Sequence, residues 1–333
     1  MTTLTLPSAD DVLDAARTLK PVAVRTPLLR SPALDRLTGA EILLKCENLQ
    51  RSGAFKFRGA YNRLSRLDRT EFPGGVVAYS TGNHGQAVAT VGRMLDIRAT
   101  IVMPSDAPAN KIIKARENGG EVVLYERGKQ SREEIAAEIA ARMPVSVVPP
   151  GDDRFVVAGQ GTAFIEAAEQ ARGEVDLVVV PCGGGGLAAG TGLAIEAVKS
   201  RAELWAAEPQ DFDDTRRSLA SGKREVNARF SGSICDALLA QTPAEIPFSF
   251  NRRKLAKVLT ASDEDVLRAI RFAFDELRLV VEPGGAVALA ALLNRSEDLR
   301  GRRVVVLLSG GNVEPNVFRR ALDIGESLPV LTE

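Results

Sequence analysis

One lysine in the sequence stands in a setting that suits chemistry. Lys56 lies between Phe55 and Phe57 in the stretch SGAFKFRGA, residues 52–60. Aromatic neighbours can desolvate an amine, and desolvation lowers the pKa of a lysine and makes it a better nucleophile. The ordinary alternative is a strand or turn from which Lys56 faces water, and this stretch taken alone favours that alternative.

A later stretch has the pattern of an anion-binding turn. In VDLVVVPCGGGGLAAGTG, residues 175–192, an apolar strand is followed by four glycines and then by a helix. Glycines let the backbone approach a ligand closely, and the first turn of a helix offers free N–H groups and the positive end of its dipole. We therefore expect this tetraglycine turn, residues 183–186, to bind a phosphate.

The chemistry of that phosphate has two interpretations. No Gly-Lys-Ser/Thr follows the glycines, so the turn is not a Walker A loop. Residues 184–189 fit a loose GxGxxG/A pattern, and Glu203 or Glu208 lies at about the distance of a ribose-binding acid. A nicotinamide-dependent oxidoreductase is therefore an alternative on this motif.

Two further strand ends carry small or polar residues. In VVVLLSGGNV, residues 304–313, Ser309 and two glycines follow a buried strand. In YSTGNHGQAVA, residues 79–89, a strand meets a helix at side chains suited to holding a small carboxylate: Ser80, Thr81, Asn83 and His84. The alternative there is an N-capping turn with a solvated His84. In an open parallel sheet ligands bind beyond the carboxyl ends of strands, so one crevice is expected to hold all these turns and Lys56.

Composition narrows the function classes. Lysine plus arginine and aspartate plus glutamate each total 43 in 333 residues, so no basic excess points to nucleic acid. Three distant cysteines fit a reducing compartment better than a disulfide framework, and the single histidine excludes a histidine-rich metal site. No signal peptide and no apolar run of about 20 residues is visible, so we expect a cytoplasmic protein that does not span a membrane.

Short apolar runs alternate with helix-like segments along most of the chain. This β-α-β-α order predicts parallel strands joined by right-handed crossovers. We read two α/β units, with the smaller, near residues 75–147, inserted within the larger. The elements of residues 211–258 cannot be placed from the pattern.

Six stretches together resemble the fold-type-II pyridoxal phosphate enzymes, in the branch with threonine/serine dehydratases and serine racemase. They run in family order over nearly the whole chain: KCENLQRSGAFKFRGA, STGNHGQAVA, AGQGT, PCGGGGLAAG, EPGGAVALAAL and LSGGNV. The ordered set is specific, whereas any one motif is not. It implies a tryptophan synthase β-like α/β fold of two open, twisted, mostly parallel sheets flanked by helices. It also implies a large cofactor-binding domain (1–74 and 148–326) and a small substrate-closing domain (75–147).

The resemblance also implies residue roles. Lys56 would bind the cofactor covalently and then act as the base at the substrate Cα, Asn83 would bond the ring hydroxyl, and Ser309 would face the pyridine nitrogen. The residues assigned to pyridoxal phosphate are Phe55, Lys56, Asn83, Gly183, Gly184, Gly185, Gly186, Leu187, Glu282 and Ser309. The residues assigned to the substrate are Ser80, Thr81, Gly82, Asn83, His84, Arg132 and Gly151.

The implied reaction is that of an ammonia-lyase, which converts a β-hydroxy-α-amino acid to a 2-oxo acid and ammonia. A neutral Ser309 hydroxyl cannot keep the pyridine nitrogen protonated as a carboxylate would, which suits β-elimination. Threonine or serine is the default substrate. Gly151, where relatives carry larger residues, and Arg132 would admit 3-hydroxyaspartate or phenylserine, although the sequence favours a solvated charge on a helix as the interpretation of Arg132. A serine or amino acid racemase is a further alternative, but the catalytic Thr81, where racemases carry serine, disfavours it.

A second site is implied by EPQDFDD, residues 208–214, which resembles a divalent-cation loop of the serine racemase branch. Glu208, the carbonyl of Phe212, and Asp214 would be the ligands, and such hard oxygen donors suit Mg²⁺ or Ca²⁺. The alternative is a solvated acidic turn. The family also leads us to expect a homodimer, with a small-molecule amino acid as the substrate.

Overall fold

The computed structural model describes residues 5–80, 82–107, 109–126, 128–294 and 299–325. Its strands are β1 Leu28–Arg30, β2 Glu41–Cys46, β3 Val76–Tyr79, β4 Ala99–Pro104, β5 Gly120–Tyr125, β6 Ser146–Val147, β7 Leu177–Pro181, β8 Glu203–Pro209, β9 Leu255–Ala261 and β10 Arg303–Leu308. Its helices are α1 Ala9–Leu19, α2 Pro32–Thr38, α3 Lys56–Leu64, α4 Asn83–Leu95, α5 Ala109–Glu117, α6 Arg132–Arg142, α7 Arg154–Gln170, α8 Gly186–Ala197, α9 Asp214–Ser221, α10 Glu245–Lys254, α11 Asp263–Leu277, α12 Pro283–Leu293 and α13 Pro315–Asp323.

The strands form two sheets. The larger has the order β1-β2-β10-β7-β8-β9, in which β1 is antiparallel to β2 and every other pair is parallel. The smaller has the order β5-β4-β3-β6 and is parallel throughout. This confirms the predicted fold of two mostly parallel sheets flanked by helices. All strands of the smaller sheet lie between residues 76 and 147, although the exact domain division stays a prediction.

Successive apolar side chains of the central strands point to opposite faces of the larger sheet, which explains why helices cover both faces. Val304, Val306 and Leu308 of β10 pack into one apolar core, with residues of α11 and α12. The intervening Val305 and Leu307 pack into a second core, with residues of α7 and α8. Successive side chains of a strand point to opposite faces, so a strand that is apolar throughout must be buried on both sides.

Helix α7 packs closely against both α3 and α8, and glycines make these contacts possible. A Cβ atom added to Gly159 would lie 2.6 Å from the carbonyl oxygen of Arg58, and one added to Gly161 would lie 2.3 Å from that of Gly190. These contacts explain the AGQGT stretch, because only glycine lets the helix backbones approach so closely. The helix that begins at Lys56 and the helix after the tetraglycine turn are thus fixed against the same neighbour.

A buried ion network anchors α3. Arg58, which is fully buried, donates to both carboxylate oxygens of Glu47 and both of Glu166, each at 2.8 Å. Lys45, also fully buried, donates to Glu166 and to the Thr26 carbonyl oxygen, both at 2.8 Å. Burial alone would raise the pKa of Glu47, but the Arg58 guanidinium holds it below its usual value. The network therefore stays ionised and fixes α3 to the end of β2 and to α7.

Several elements escape the sequence pattern. Helix α7 begins at Arg154, before the AGQGT stretch, because the Asp153 carboxylate accepts the N–H groups of Phe155 and Val156. The unplaced residues 211–258 contain α9, a 3-10 turn at Asp236–Leu238, α10 and the start of β9. Helix α10 has a proline in its first turn and no side-chain cap, so its start carries little signal.

Among the residues described, no helix combines the length and the apolar character that crossing a membrane requires.

Candidate active site

The loop that carries Lys56 is tied to the end of β10. Ala54 and Gly310 form an antiparallel bridge. The Phe55 N–H donates to the carbonyl oxygen of Ser309 at 3.0 Å, and the Gly311 N–H donates to that of Gly53 at 2.9 Å. These backbone bonds bring Lys56 and Ser309 to one edge of the larger sheet, although they are about 250 residues apart in the sequence.

Lys56 has a perturbed amine. Its Nζ donates to the Pro150 carbonyl oxygen at 2.9 Å and lies 5.2 Å from the centroid of the Phe55 ring. Burial of the charged form lowers the pKa of Lys56 to about 8. Lys56 is thus partly buried and bonded to the protein, which disfavours the alternative of a lysine that faces water. The lowered pKa agrees with the role of nucleophile that its neighbours predict.

The tetraglycine turn separates into two kinds of position. A Cβ added to Gly183 would lie 3.0 Å from Leu238 Cα, and one added to Gly185, whose φ is +89°, would lie 2.6 Å from Asn251 Nδ2. At Gly184 and Gly186 the nearest atoms would be 3.9 and 3.7 Å away. Protein packing thus requires glycine only at residues 183 and 185. Glycine at residues 184 and 186 instead leaves space in front of the first turn of α8.

That space fits the phosphate of the implied cofactor. The Cβ position of Gly186 faces Gly151 and the Pro150 carbonyl oxygen, the same oxygen that accepts from Lys56. Gly186 and Leu187 begin α8, whose first N–H groups precede the intrahelical bonds. An anion held there would lie beside the Lys56 amine. A cofactor that binds the turn through its phosphate and is bonded covalently to Lys56 requires this arrangement.

A polar cluster joins α4, which flanks the smaller sheet, to loops of the larger unit. Asn83, the first residue of α4, donates through Nδ2 to the buried carboxyl of Glu282, and its Oδ1 accepts from Asn312 Nδ2 at 2.8 Å. Burial, and then Asp236, raise the pKa of Glu282 to about 7. An amide NH₂ carries two donors, so Asn83 can hold Glu282 and a ligand hydroxyl at the same time.

His84 is a fixed structural side chain. It is buried, and its Nε2 lies 2.9 Å from the Val148 carbonyl oxygen, which only accepts, so Nε2 carries the proton. Burial and the charge of Lys56 lower the pKa of His84 to about 3, so the ring is neutral. The alternative of a solvated His84 is wrong. A carboxylate at residues 80–84 therefore gains no positive charge from this ring. The Ser80 hydroxyl, which accepts from the Gly82 N–H at 3.1 Å, can still donate to it.

The remaining substrate residues have mixed positions. The Arg132 guanidinium lies over the Tyr79 ring at 5.5 Å, next to Ser80, and its Nε donates to Glu133 at 2.8 Å. A Cβ added to Gly151 would lie 3.2 Å from Ala244 Cβ, so the space left by this glycine is a packed wall and does not itself support an enlarged pocket. Thr81 lies outside the described residues.

The residues of the predicted cation loop come together. The two Glu208 oxygens accept the N–H groups of Thr215 and Arg216, each at 3.0 Å. Asp214 accepts from Asn227 at 2.7 Å through Oδ1, while its buried Oδ2 has no hydrogen-bond partner. Burial raises the pKa of Glu208 to about 8, with a contribution from Asp214, and that of Asp214 to about 6.

Glu208, Asp214 and Phe212 are all buried, so the alternative of a solvated turn is wrong. In the described part of the chain no group of three or more His, Cys, Asp or Glu side chains could hold a metal. The cation loop itself offers two carboxylates and a backbone carbonyl.

The geometry does not support the nicotinamide interpretation. Glu208 is fully buried and directed at the start of α9, where its oxygens accept the N–H groups of Thr215 and Arg216. Glu203 is the first residue of β8, at the opposite edge of the sheet from the tetraglycine turn, and pairs with Arg302 at 3.0 Å. Neither acid is placed to bind a ribose beside the turn.

Sequence reasoning missed several residues of this region. Asn312 stands in the LSGGNV stretch, and its place directly after two glycines could have identified it. Lys111 on α5 and Asp236 pair with each other, but Lys111 reads as an ordinary helix lysine and Asp236 lies in the unplaced segment. The Pro150 carbonyl is a backbone group that carries no residue signal.

Comparison with known proteins agrees with the motifs. A family model described as "Pyridoxal-phosphate dependent enzyme" matches residues 19–310. The chain is 42% identical over 309 residues to L-threo-3-hydroxyaspartate ammonia-lyase of Pseudomonas sp, covering 93% of this chain and 96% of that protein. It is 39% identical over 311 residues to serine racemase of Schizosaccharomyces pombe, with the same coverages. The solved structure of maize serine racemase matches with a TM-score of 0.89 at 31% identity, covering 96% of this chain and 97% of that one.

Two glycine substitutions should separate cofactor binding from folding. Gly186→Ala adds a methyl group that meets no protein atom closer than 3.7 Å, so the cofactor-free protein should keep its thermal stability. The methyl group fills the phosphate space, and losing one or two charge-assisted hydrogen bonds should raise the Kd for pyridoxal phosphate roughly 10- to 100-fold. Spectroscopic titration of the cofactor measures this Kd.

Gly185→Ala is the matched control. Its positive φ and its contact with Asn251 should lower the stability of the cofactor-free protein by about 1–3 kcal/mol. Unchanged cofactor affinity in Gly186→Ala would contradict the assignment of the phosphate to this turn.

The lowered pKa of Lys56 can be measured directly in cofactor-free protein. Acetic anhydride modifies only neutral amines, so labelling of Lys56 should rise with pH and be half-complete near pH 8. A model lysine peptide in the same tube should reach half-labelling near about pH 10.4. Mass spectrometry of the Lys56 peptide gives the midpoint, and a midpoint equal to that of the model peptide would refute a desolvated amine.

Proposed function

This chain belongs to the family of pyridoxal-phosphate dependent enzymes, and we propose that it is an ammonia-lyase for an acidic β-hydroxy amino acid, L-threo-3-hydroxyaspartate or a close analogue. The reaction class follows from the family and from relatives that include the Pseudomonas ammonia-lyase. The observation that carries the substrate class is the position of Arg132, whose guanidinium lies over Tyr79 at the carboxyl end of β3, beside the predicted carboxylate turn.

Pyridoxal phosphate, when bound, withdraws electrons from the Cα of an attached amino acid. The first turn of α8 would hold its phosphate, and Asn83 and Ser309 would orient its ring. Because the pKa of Lys56 is about 8, about a tenth of its amine is neutral at pH 7, compared with on the order of 0.04% for an ordinary lysine. Lys56 can therefore take the proton from Cα at neutral pH. The proton that Lys56 holds can pass to the β-hydroxyl, which leaves as water, so that the substrate loses Cα–H and Cβ–OH and becomes an enamine. Water then hydrolyses its imine form to a 2-oxo acid and ammonia.

Arg132 would recognise the second carboxylate of the substrate. A guanidinium presents a planar set of donors that matches a carboxylate, and stacking on Tyr79 holds that plane. Its charge also reaches His84, where it contributes to the lowered pKa. This proximity supports the role of Arg132 as the cation that binds the substrate, over the alternative of a solvated charge on a helix.

Two alternative functions, a threonine or serine dehydratase and a racemase, are tested by the substrate measurements described below. Threonine or serine would be preferred if Arg132 does not contact the substrate. The identity to the yeast serine racemase supports racemisation as a second function, and Thr81 is the residue on which that depends. The homodimer and the cytoplasmic location expected from the sequence stay predictions.

Arg132→Gln should separate acidic from neutral substrates. Losing a charge-assisted pair costs about 1.5–3 kcal/mol, so kcat/KM for L-threo-3-hydroxyaspartate should fall roughly 10- to 150-fold. The value for L-threonine or L-serine should change less than about threefold, because neither makes that pair. The measurement is 2-oxo acid release from these three compounds and phenylserine, with Lys56→Ala as the inactive reference.

Arg142→Gln is the matched control, since Arg142 ends the same helix with an exposed side chain. An equal fall for every substrate in Arg132→Gln, or a wild-type preference for threonine, would contradict the acidic substrate. Absence of any 2-oxo acid, together with inversion of L-serine on a chiral column, would favour the racemase.

We further propose that the cation loop binds Mg²⁺ or Ca²⁺ through Glu208, Asp214 and the Phe212 carbonyl. The support is the pair of buried carboxyls and the unpartnered Asp214 Oδ2, since burying such groups is costly without a cation or a proton. Mg²⁺ or Ca²⁺ should raise the Tm of the wild type by several degrees over protein in EDTA.

Asp214→Asn should abolish this increase in Tm. Asp211→Asn, in the same loop but exposed, should retain it. A wild-type Tm that responds to neither cation nor chelator would refute the cation site.

A further inference from the structure

Helices α4 and α5, which flank the smaller sheet, each carry a polar side chain that bonds to a loop of the larger unit. The first link joins Asn83 of α4 to Glu282 and Asn312 and includes residues already assigned to the cofactor. The second joins Lys111 of α5 to the Asp236 carboxylate in the 3-10 turn Asp236–Leu238. Nothing in the proposed reaction uses this second pair.

We propose that the Lys111–Asp236 ion pair is a latch that holds the cleft between the two sheets closed over the Lys56 site. The proposal concerns closure of the protein and does not depend on which amino acid it acts on.

Burial distinguishes this pair from ordinary surface ion pairs. The side chain of Lys111 is only 7% exposed, whereas that of Asp236 is 44% exposed. An ammonium group removed from water is costly unless a partner compensates, and Asp236 supplies that charge only while the cleft is closed. The half-exposed aspartate also leaves the pair open to screening by salt.

The turn that carries Asp236 borders the cofactor space. A Cβ added to Gly183 would lie 3.0 Å from Leu238 Cα, and one added to Gly284 would lie 3.1 Å from Ala237 Cβ. The turn is therefore packed against the tetraglycine turn and against the start of α12, while Asp236 reaches across to α5. The Lys111–Asp236 pair therefore holds α5 close to the turn that borders the phosphate space.

The electrostatics of Glu282 agree with this arrangement. The charged or titratable groups that face its carboxyl are Asp236, Cys235 and Lys111, and Asn83 donates to it. Burial and then Asp236 raise the pKa of Glu282, whereas Lys111 lowers it. A closed latch thus offsets the charge of Asp236 and helps to keep Glu282 ionised, as an acceptor for Asn83.

Hydrogen exchange followed by mass spectrometry tests the latch without relying on activity. In the cofactor-loaded full chain, Lys111→Met and Asp236→Asn should each speed exchange roughly threefold or more in peptides from both sides, residues 109–117 and 232–241. The exchanged pair, Lys111→Asp with Asp236→Lys, should return both peptides towards the wild-type rates. Lys254→Met removes a lysine–glutamate pair that lies within the larger unit, and it should leave both peptides unchanged.

The wild-type protein supplies a second test that needs no substitution. Raising the salt from about 0.05 M to 0.5 M should speed exchange in both peptides of the wild type and have little further effect in Asp236→Asn. Wild-type rates in both single variants, or acceleration confined to the peptide that carries the substitution, would overturn the latch. A failure of the ammonia-lyase assay would leave these exchange results unaffected, so the two proposals can fail separately.

Discussion

Three buried charged side chains and one partly buried glutamate hold the helix that begins at Lys56 in place. Arg58, two residues after Lys56, is clamped between Glu47 and Glu166, and Lys45 shares the second carboxylate. A buried ion network adds little net stability compared with a well-packed apolar cluster, but removing one partner costs about 3–5 kcal/mol. Its effect is therefore positional: α3 has one orientation in which every charge is matched, and Lys56 begins that helix.

The rest of the site is arranged around this fixed helix. The bridge between residues 53–55 and 309–311 sets Ser309 across from Lys56, and the glycines of α7 bring α3 and α8 against one helix. The space in front of α8 shares the Pro150 carbonyl with Lys56, and the Asn83 cluster is bonded to Asn312, next to that bridge. A cofactor held by its phosphate, its ring and its aldehyde requires three such points at fixed separations.

The sequence predicted those features of the fold and the site that depend on local patterns. Parallel strands ending in glycine or serine gave the crevice, and the ordered motifs gave the family, which the comparisons confirm. Long-range polar contacts carry no such pattern. Lys45 and Glu166 are 121 residues apart and look like surface charges, and the Lys111–Asp236 pair looks no different. The sequence left a solvated His84 open as an alternative for a related reason, because the Val148 carbonyl that holds its ring is a backbone group.

The central claim is that Lys56 is the amine that carries the cofactor. The most direct test is to load the protein with pyridoxal phosphate, reduce it with borohydride to make the lysine–cofactor bond permanent, and map the modified peptide by mass spectrometry. The account predicts a single modified residue, Lys56, with no label in Lys56→Ala. Label on Lys45 or Lys111, which are buried, with Lys56 unmodified, would contradict it.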